Sequence, residues 1–177
     1  RKYNHQKEIV IITGVRRCGK SSLMRLIAHD MMENEKVPAS NILYINFEDE
    51  RFISFEPEDF ESIYECYLEL EDPKGKKYFF LDEIQNIPGW ERWLNRVYES
   101  GEIKFFITGS NAGILNPEVA TKLTGRNRQV MCFPFSFHEF LRYNKAVLDT
   151  KSFLKSESRA IIKRWFAKFL ITGGFPE

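Results

Sequence analysis

The sequence predicts an α/β fold in which a mostly parallel sheet of five strands is covered by helices on both faces, followed by the start of a smaller helical domain. Three observations predict it. Short β-rich runs alternate with segments whose apolar residues recur at helical spacing. A glycine-containing turn, "GVRRCGKSS", joins the first run to the first helical segment. After about Phe135 the strand signal stops and only helical periodicity continues.

The first strand is "EIVIIT", a continuous apolar run of the kind expected where both faces of a strand are buried. "SLMRLIAHDMM" follows as a helix, with Leu23, Leu26, Ile27 and Met31 expected on its core face, and "NILYINF" is the second strand. The alternation repeats through the helix "FESIYECYLEL" (Phe60, Ile63, Tyr64, Tyr67, Leu68), the strand "KYFFLDE", the helix "WERWLNRVYES", the strand "IKFFITGS", a helical stretch around "AGILNPEVATKL" and the strand "RQVMCF". Trp90, Trp93, Leu94 and Val97 fall at helical spacing and read as core. Strands joined by helical crossovers pair in parallel, which gives the sheet its covered faces. "RAIIKRWFAKFLI" is helical, so the expected division is a core over residues 1–134 and the beginning of a helical lid over 135–177.

A chain of 177 residues suffices for one domain and the start of another. Lys and Arg number 26 against 25 Asp and Glu, a formal charge of +1, which leaves no global basic footprint for nucleic acid. Cys18, Cys66 and Cys132 are odd in number and widely spaced, which argues against a disulfide framework or a zinc site and makes a reducing cytoplasm the expected compartment. No apolar run reaches the length of a membrane span and no signal peptide is legible, so no membrane partner is expected. The chain begins at Arg1 and reads as an excerpt of something longer.

The turn after the first strand spells G-x-x-x-x-G-K-S: Gly14, Val15, Arg16, Arg17, Cys18, Gly19, Lys20, Ser21, with Ser22 beyond. Such a turn lets backbone N–H groups approach phosphate oxygens, and the helix that follows adds unpaired N–H donors and a positive dipole end. Lys20 is expected to reach the β- and γ-phosphates, and the Ser21 hydroxyl to ligate magnesium.

Two acids, Asp82 and Glu83, end the strand "KKYFFLDE". Ligand-facing residues of parallel sheets lie at the C-terminal ends of strands, where the phosphate turn also sits. Asp82 is therefore expected to hold magnesium, mostly through water, and Glu83 to orient or deprotonate an attacking water. "DEIQ" lacks the glycine of a GTPase switch and "NKAV" at 144–147 lacks the aspartate that would pair with guanine, which disfavours a guanine nucleotide. The acid pair disfavours transfer to a small-molecule acceptor.

"GVRRCGKSSL", "INFEDERF", "FFLDEIQNIPGWERW", "FITGSN", "KLTGR", "FPFSFHEF" and "GGFPE" together resemble, in order and over essentially the whole chain, the AAA+-superfamily ATP-binding proteins of bacteria and archaea. The resemblance is to their archaeal-ATPase and signalling-ATPase relatives. It implies a P-loop NTPase three-layer sandwich with strand order 5-1-4-3-2, Walker A and Walker B motifs in the turn and acid pair, and ATP with magnesium as ligand. It also implies a C-terminal domain of unassigned, sometimes nuclease-like, character that lies beyond Glu177. Ser110 or Asn111 would contact the γ-phosphate or the attacking water, unless Gly-Ser-Asn is simply turn chemistry. Asn46 would restrain the catalytic glutamate or else satisfy local backbone. Pro176 would pack near adenine or else follow a helix stop. Arg126 would act on a neighbouring subunit's γ-phosphate, or else be a turn arginine paired with a nearby acid.

Three functions follow as expectations. The first is an ATPase whose hydrolysis drives a conformational change in an attached domain or partner. The second is an ATP-gated switch or scaffold that hydrolyses slowly, and the third an ATP-dependent nucleic-acid remodeller. A homo-oligomer, and a nucleic acid or protein reached through the C-terminal domain, are the expected partners. The basic clusters "GRNR" and "KRWFAK" keep the third function open, although solvated faces account for both.

Overall fold

A computed structural model describes residues 7–110, 114, 123, 125–146 and 156–175. Five strands, β1 (Ile9–Thr13), β2 (Ile42–Asn46), β3 (Lys77–Asp82), β4 (Ile103–Thr108) and β5 (Asn127–Met131), form one sheet in the order β2-β3-β4-β1-β5. All four pairings are parallel. This is the expected order 5-1-4-3-2 read from the opposite edge. The described helices are α1 (Lys20–Glu33), α2 (Asp59–Glu71), α3 (Trp90–Ser100), α4 (Phe137–Tyr143) and α5 (Ser156–Thr172). Of the helical stretch expected at 112–123, only Ile114 and Leu123 are described.

The chain divides into two compact units. The first comprises the described residues of Arg1–Gly14 and Lys20–Met131, and the second those of Val15–Gly19 and Cys132–Glu177. In the first unit, alternation along the central strands sends Ile9, Ile11, Phe79, Leu81, Phe105 and Ile107 into one core with Phe60 of α2 and Trp90, Trp93, Leu94 and Val97 of α3. Trp93 stacks on Phe60 with ring centroids 4.7 Å apart. The tryptophans of α3 are thus packing residues, as their spacing predicts. The alternate residues Phe80 and Phe106 stack at 4.6 Å and 4°.

The core face of α1 is Lys20, Met24, Ala28 and Met31, whereas Leu26 is 67% exposed. Met31 is buried as expected, but Leu23 and Ile27 are only half-buried, which turns the expected face by about one residue, or 100° of helix rotation. The helix begins at Lys20, and that residue lies on its buried face. In α2, likewise, Phe60 and Tyr67 are buried while Leu68 is only partly covered.

The second unit holds α4 and α5. A reciprocal capping box starts α4: the Ser136 hydroxyl accepts the Glu139 N–H, and the Glu139 carboxylate accepts the Ser136 N–H. Phe137 and Phe140 pack on Phe169 at 5.5 and 5.3 Å. The Phe135 N–H donates to the Gly174 carbonyl at 2.6 Å. No helix among the described residues is long and apolar enough to cross a membrane.

Candidate functional site

β1 ends at Thr13, and the chain turns through Gly14–Gly19 before α1 starts at Lys20. Gly19 has φ +100°, a conformation that side chains oppose, and Arg17 takes φ +67° despite its side chain. The Cys18 N–H closes the turn on the Val15 carbonyl at 3.3 Å. Its own carbonyl accepts from the Cys132 thiol at 3.5 Å. Cys18 is buried, while Val15, Arg16 and Arg17 are exposed. The first turn of α1 carries no acid.

Lys20 is 6% exposed, and its ammonium lies 3.4 Å from Oε1 of Glu83. Glu83 is the first residue past β3 and has φ +51°, left-handed backbone that costs a non-glycine residue about 1 kcal/mol or more. That bend turns the chain off the strand direction. Nε2 of Gln85 donates to Oε2 of Glu83 at 2.7 Å, so both carboxylate oxygens are held.

Asp82 is fully buried. Its Oδ2 accepts the Tyr44 hydroxyl at 2.8 Å, and its Oδ1 accepts the hydroxyl of Thr108. The same Thr108 oxygen accepts the Glu83 N–H at 2.9 Å. One fully buried hydroxyl at the end of β4 therefore ties together both acids at the end of β3. Burial and the bond to Asp82 push the Tyr44 phenol well above its ordinary range, which keeps it a neutral donor.

The donor set suits a hard cation. Ser21 offers a hydroxyl and Asp82 a carboxylate whose oxygens each retain acceptor capacity beyond the one bond described. Among the described residues no cluster of three His, Cys, Asp or Glu side chains could hold a metal by itself.

The second unit contains a cavity of about 470 Å³ whose walls include the cations Arg16, Arg17 and Lys168 and the aromatic rings of Phe135, Tyr143 and Phe175.

Residues 6–141 match the family described as AAA domain. The chain belongs to that family. An uncharacterised protein of Methanocaldococcus jannaschii is 33% identical over 170 residues, 96% of this AAA chain and 36% of the relative. The chain spans less than two-fifths of the length of the curated relatives it matches. Among solved structures, Caenorhabditis elegans PCH-2 superposes with a TM-score of 0.56 at 15% identity, over 85% of this chain and 44% of the other. Aeropyrum pernix ORC1, solved in complex with DNA, gives 0.54 at 17% identity, over 82% and 47%. These two likenesses are of fold alone. The sheet order and the family together make this a nucleotide-binding P-loop fold of the AAA+ ATPase superfamily.

Within this AAA domain, Lys20, Asp82 and Glu83 join one hydrogen-bonded and ion-paired group. Ser21 is half-buried on the first turn of α1 and Ser22 is exposed. Ser110 is exposed, and its carbonyl accepts the Ile114 N–H. Asn111 and Pro176 lie outside the described residues. Arg126 rests on α3, with its guanidinium 3.3 Å from Asn95 and Glu99 and over the Tyr98 ring. The Asn46 amide oxygen accepts the local Glu48 N–H, and the amide that meets Glu83 is that of Gln85. Thr108, Tyr44 and Gln85 are the members of the group that motif spacing did not single out. Thr108 was within reach of sequence reasoning as the last strand residue of "FITGSN"; Tyr44 had no signal apart from an ordinary strand tyrosine.

Proposed function

We propose that this domain binds ATP with magnesium and hydrolyses it, and that the hydrolysis drives a conformational change in an attached C-terminal domain or partner. The observation that carries the proposal is the joining of Lys20, Glu83, Asp82 and Thr108 at the C-terminal ends of adjacent parallel strands. The turn Gly14–Gly19, with Lys20, Ser21 and Ser22, takes the phosphates. Magnesium held by Ser21 and, through water, by Asp82 would neutralise charge on the β- and γ-phosphates. Glu83 accepts a proton from water as that water's oxygen bonds to the γ-phosphorus. The bond from γ-phosphorus to the bridging oxygen breaks, and its electron pair leaves with ADP. Thr108 holds the Glu83 backbone and the Asp82 carboxylate in fixed relation while this happens. Ser110 or Asn111 contacts the γ-phosphate, and Pro176 packs near the adenine. Arg126 acts on a neighbouring copy after exchanging its pair with Glu99, an exposed and therefore weak contact.

The Lys20–Glu83 pair favours one second reading. It occupies both the phosphate-binding cation and the base, which is how an ATP-gated switch with slow turnover would rest. In either reading, Glu83→Gln retains shape and hydrogen bonding without the base. It should bind magnesium-ATP with parental affinity while turnover falls by about 10²–10⁴. Steady-state hydrolysis by the full-length protein, with and without DNA, makes the test; parental turnover by the variant would show that another group is the base. Stimulation by DNA would favour the nucleic-acid remodeller.

A further inference from the structure

Gln85 occupies an expensive position. Its Nε2 donates to Oε2 of Glu83 at 2.7 Å, which fixes the amide's orientation, because a carboxylate only accepts. The other end, Oε1, is buried and has no hydrogen-bond partner among the described residues. It points at Gly109, the residue just past β4, so closely that a Cβ there would collide with Oε1 and with the Ile114 side chain. A buried acceptor left unsatisfied is a standing penalty, and an apolar side chain of the same volume would avoid it. The gain that offsets the penalty lies at the amide's other end.

We infer that Gln85 is the positioning residue for the general base: it anchors Oε2 of Glu83, so that Oε1 is the oxygen presented to water once Lys20 turns to the phosphates. The inference rests on Glu83 being the base. In the structure Lys20 holds Oε1 and Gln85 holds Oε2. A γ-phosphate competes for the first contact and leaves the second untouched. Without Gln85, and once Lys20 has turned away, no side-chain bond among the described residues holds the carboxylate; the Glu83 backbone, left-handed, stays tied to Thr108 and Asn86, but the side chain can rotate about its own bonds. Gly109, just past β4, is the matching feature, because only a residue without a side chain leaves room for the amide.

The test compares Gln85→Leu, Glu83→Gln and the double variant in the full-length protein, by steady-state ATP hydrolysis and thermal unfolding. Gln85→Leu should lower kcat about 10-fold or more, the worth of one charge-assisted hydrogen bond, with KM for ATP within about twofold of the parent. Its melting temperature should stay the same or rise, because the buried unpartnered oxygen is gone. A packing residue would behave in the opposite way. In the Glu83→Gln background, Gln85→Leu should change residual turnover by less than about twofold, since Gln85 acts only through Glu83. Parental kcat in Gln85→Leu, or an undiminished 10-fold loss in the double variant, overturns the inference. Gln85→Met provides the same comparison should the leucine variant fail to fold. If Glu83→Gln itself turns over at the parental rate, the assignment of the base fails, which is a separate result from failure of the anchor.

Discussion

The two edges of the sheet both bury charge, and they do so on the same strands. β3 runs from Lys77 to Asp82, and β4 carries Lys104 near its start and Thr108 at its end. At the N-terminal edge the charges are closed off. The Lys104 ammonium, 1% exposed, donates to the Glu8 carbonyl and lies over the Phe106 ring. Lys77 pairs with Glu102 at 3.1 Å, and Arg126 with Glu99. These contacts end at surface carboxylates or at backbone. At the C-terminal edge the polar groups instead hold one another: Thr108 serves Asp82 and Glu83, and Glu83 serves Lys20 and Gln85. The backbone there is strained, and one acceptor is unsatisfied. A buried charge is therefore not by itself a site. The difference lies in whether the groups are paired off or linked to each other around acceptor capacity left for a ligand.

The largest expected effect would break this comparison, because it gives the N-terminal edge a catalytic part. Arg126, at the start of β5, is tied to α3 within its own chain. If it serves a neighbouring copy, its guanidinium stabilises charge that develops in the transition state, an effect of about 10³ or more where it operates fully. Hydrolysis per subunit should then rise with protein concentration, and Arg126→Ala should flatten the rise while sparing ATP affinity. Mixing Arg126→Ala with Lys20→Ala subunits should restore activity. A rate independent of concentration, over a range where association is demonstrated, would return Arg126 to a purely structural pair.

The next effect sharpens the comparison. Lys20→Ala removes the cation proposed to meet the phosphates and should weaken ATP binding on the order of 100-fold, measured by calorimetry. Unchanged affinity would remove the turn from the nucleotide site.

The smallest concerns Lys104. Burial, with Lys76 nearby, brings its pKa down to about 8, below the roughly 10.4 of an unfolded lysine. The folded state therefore binds its proton less tightly than the unfolded state does. The resulting penalty is full below pH 8, fades as pH rises, and is gone above about 10.5. Lys104→Met should raise stability at pH 7 by about 1–2 kcal/mol, after the loss of the donor to Glu8, with activity unchanged. Chemical denaturation at pH 7 and pH 10 measures it, and an equal gain at both would show that packing rather than charge is responsible.

Much of this molecule is legible along the chain. The runs "IVIIT", "KYFFLD" and "IKFFIT" are strands buried on both faces, apolar through their middles with the charged and hydroxyl-bearing residues Lys77, Lys104, Thr13, Asp82 and Thr108 towards their ends. The turn from Gly14 to Ser21 and the acids Asp82 and Glu83 stand out as local patterns, and the structure brings Lys20, Asp82 and Glu83 into one group; their roles toward phosphate and magnesium are proposed. What spacing cannot convey is rotation and partnership. The phase of α1 puts Lys20 on its buried face, and Leu23 and Ile27, one position from Met24 and Ala28, give a plausible competing face. Tyr44, Thr108 and Gln85 meet the acids because β2 and β4 flank β3 and because Gly109 leaves room for an amide. The contacts of Tyr44 and Thr108 join residues on different strands and exist only once the chain has closed the sheet, and the local Gln85–Glu83 bond depends on the room that Gly109 leaves beyond β4.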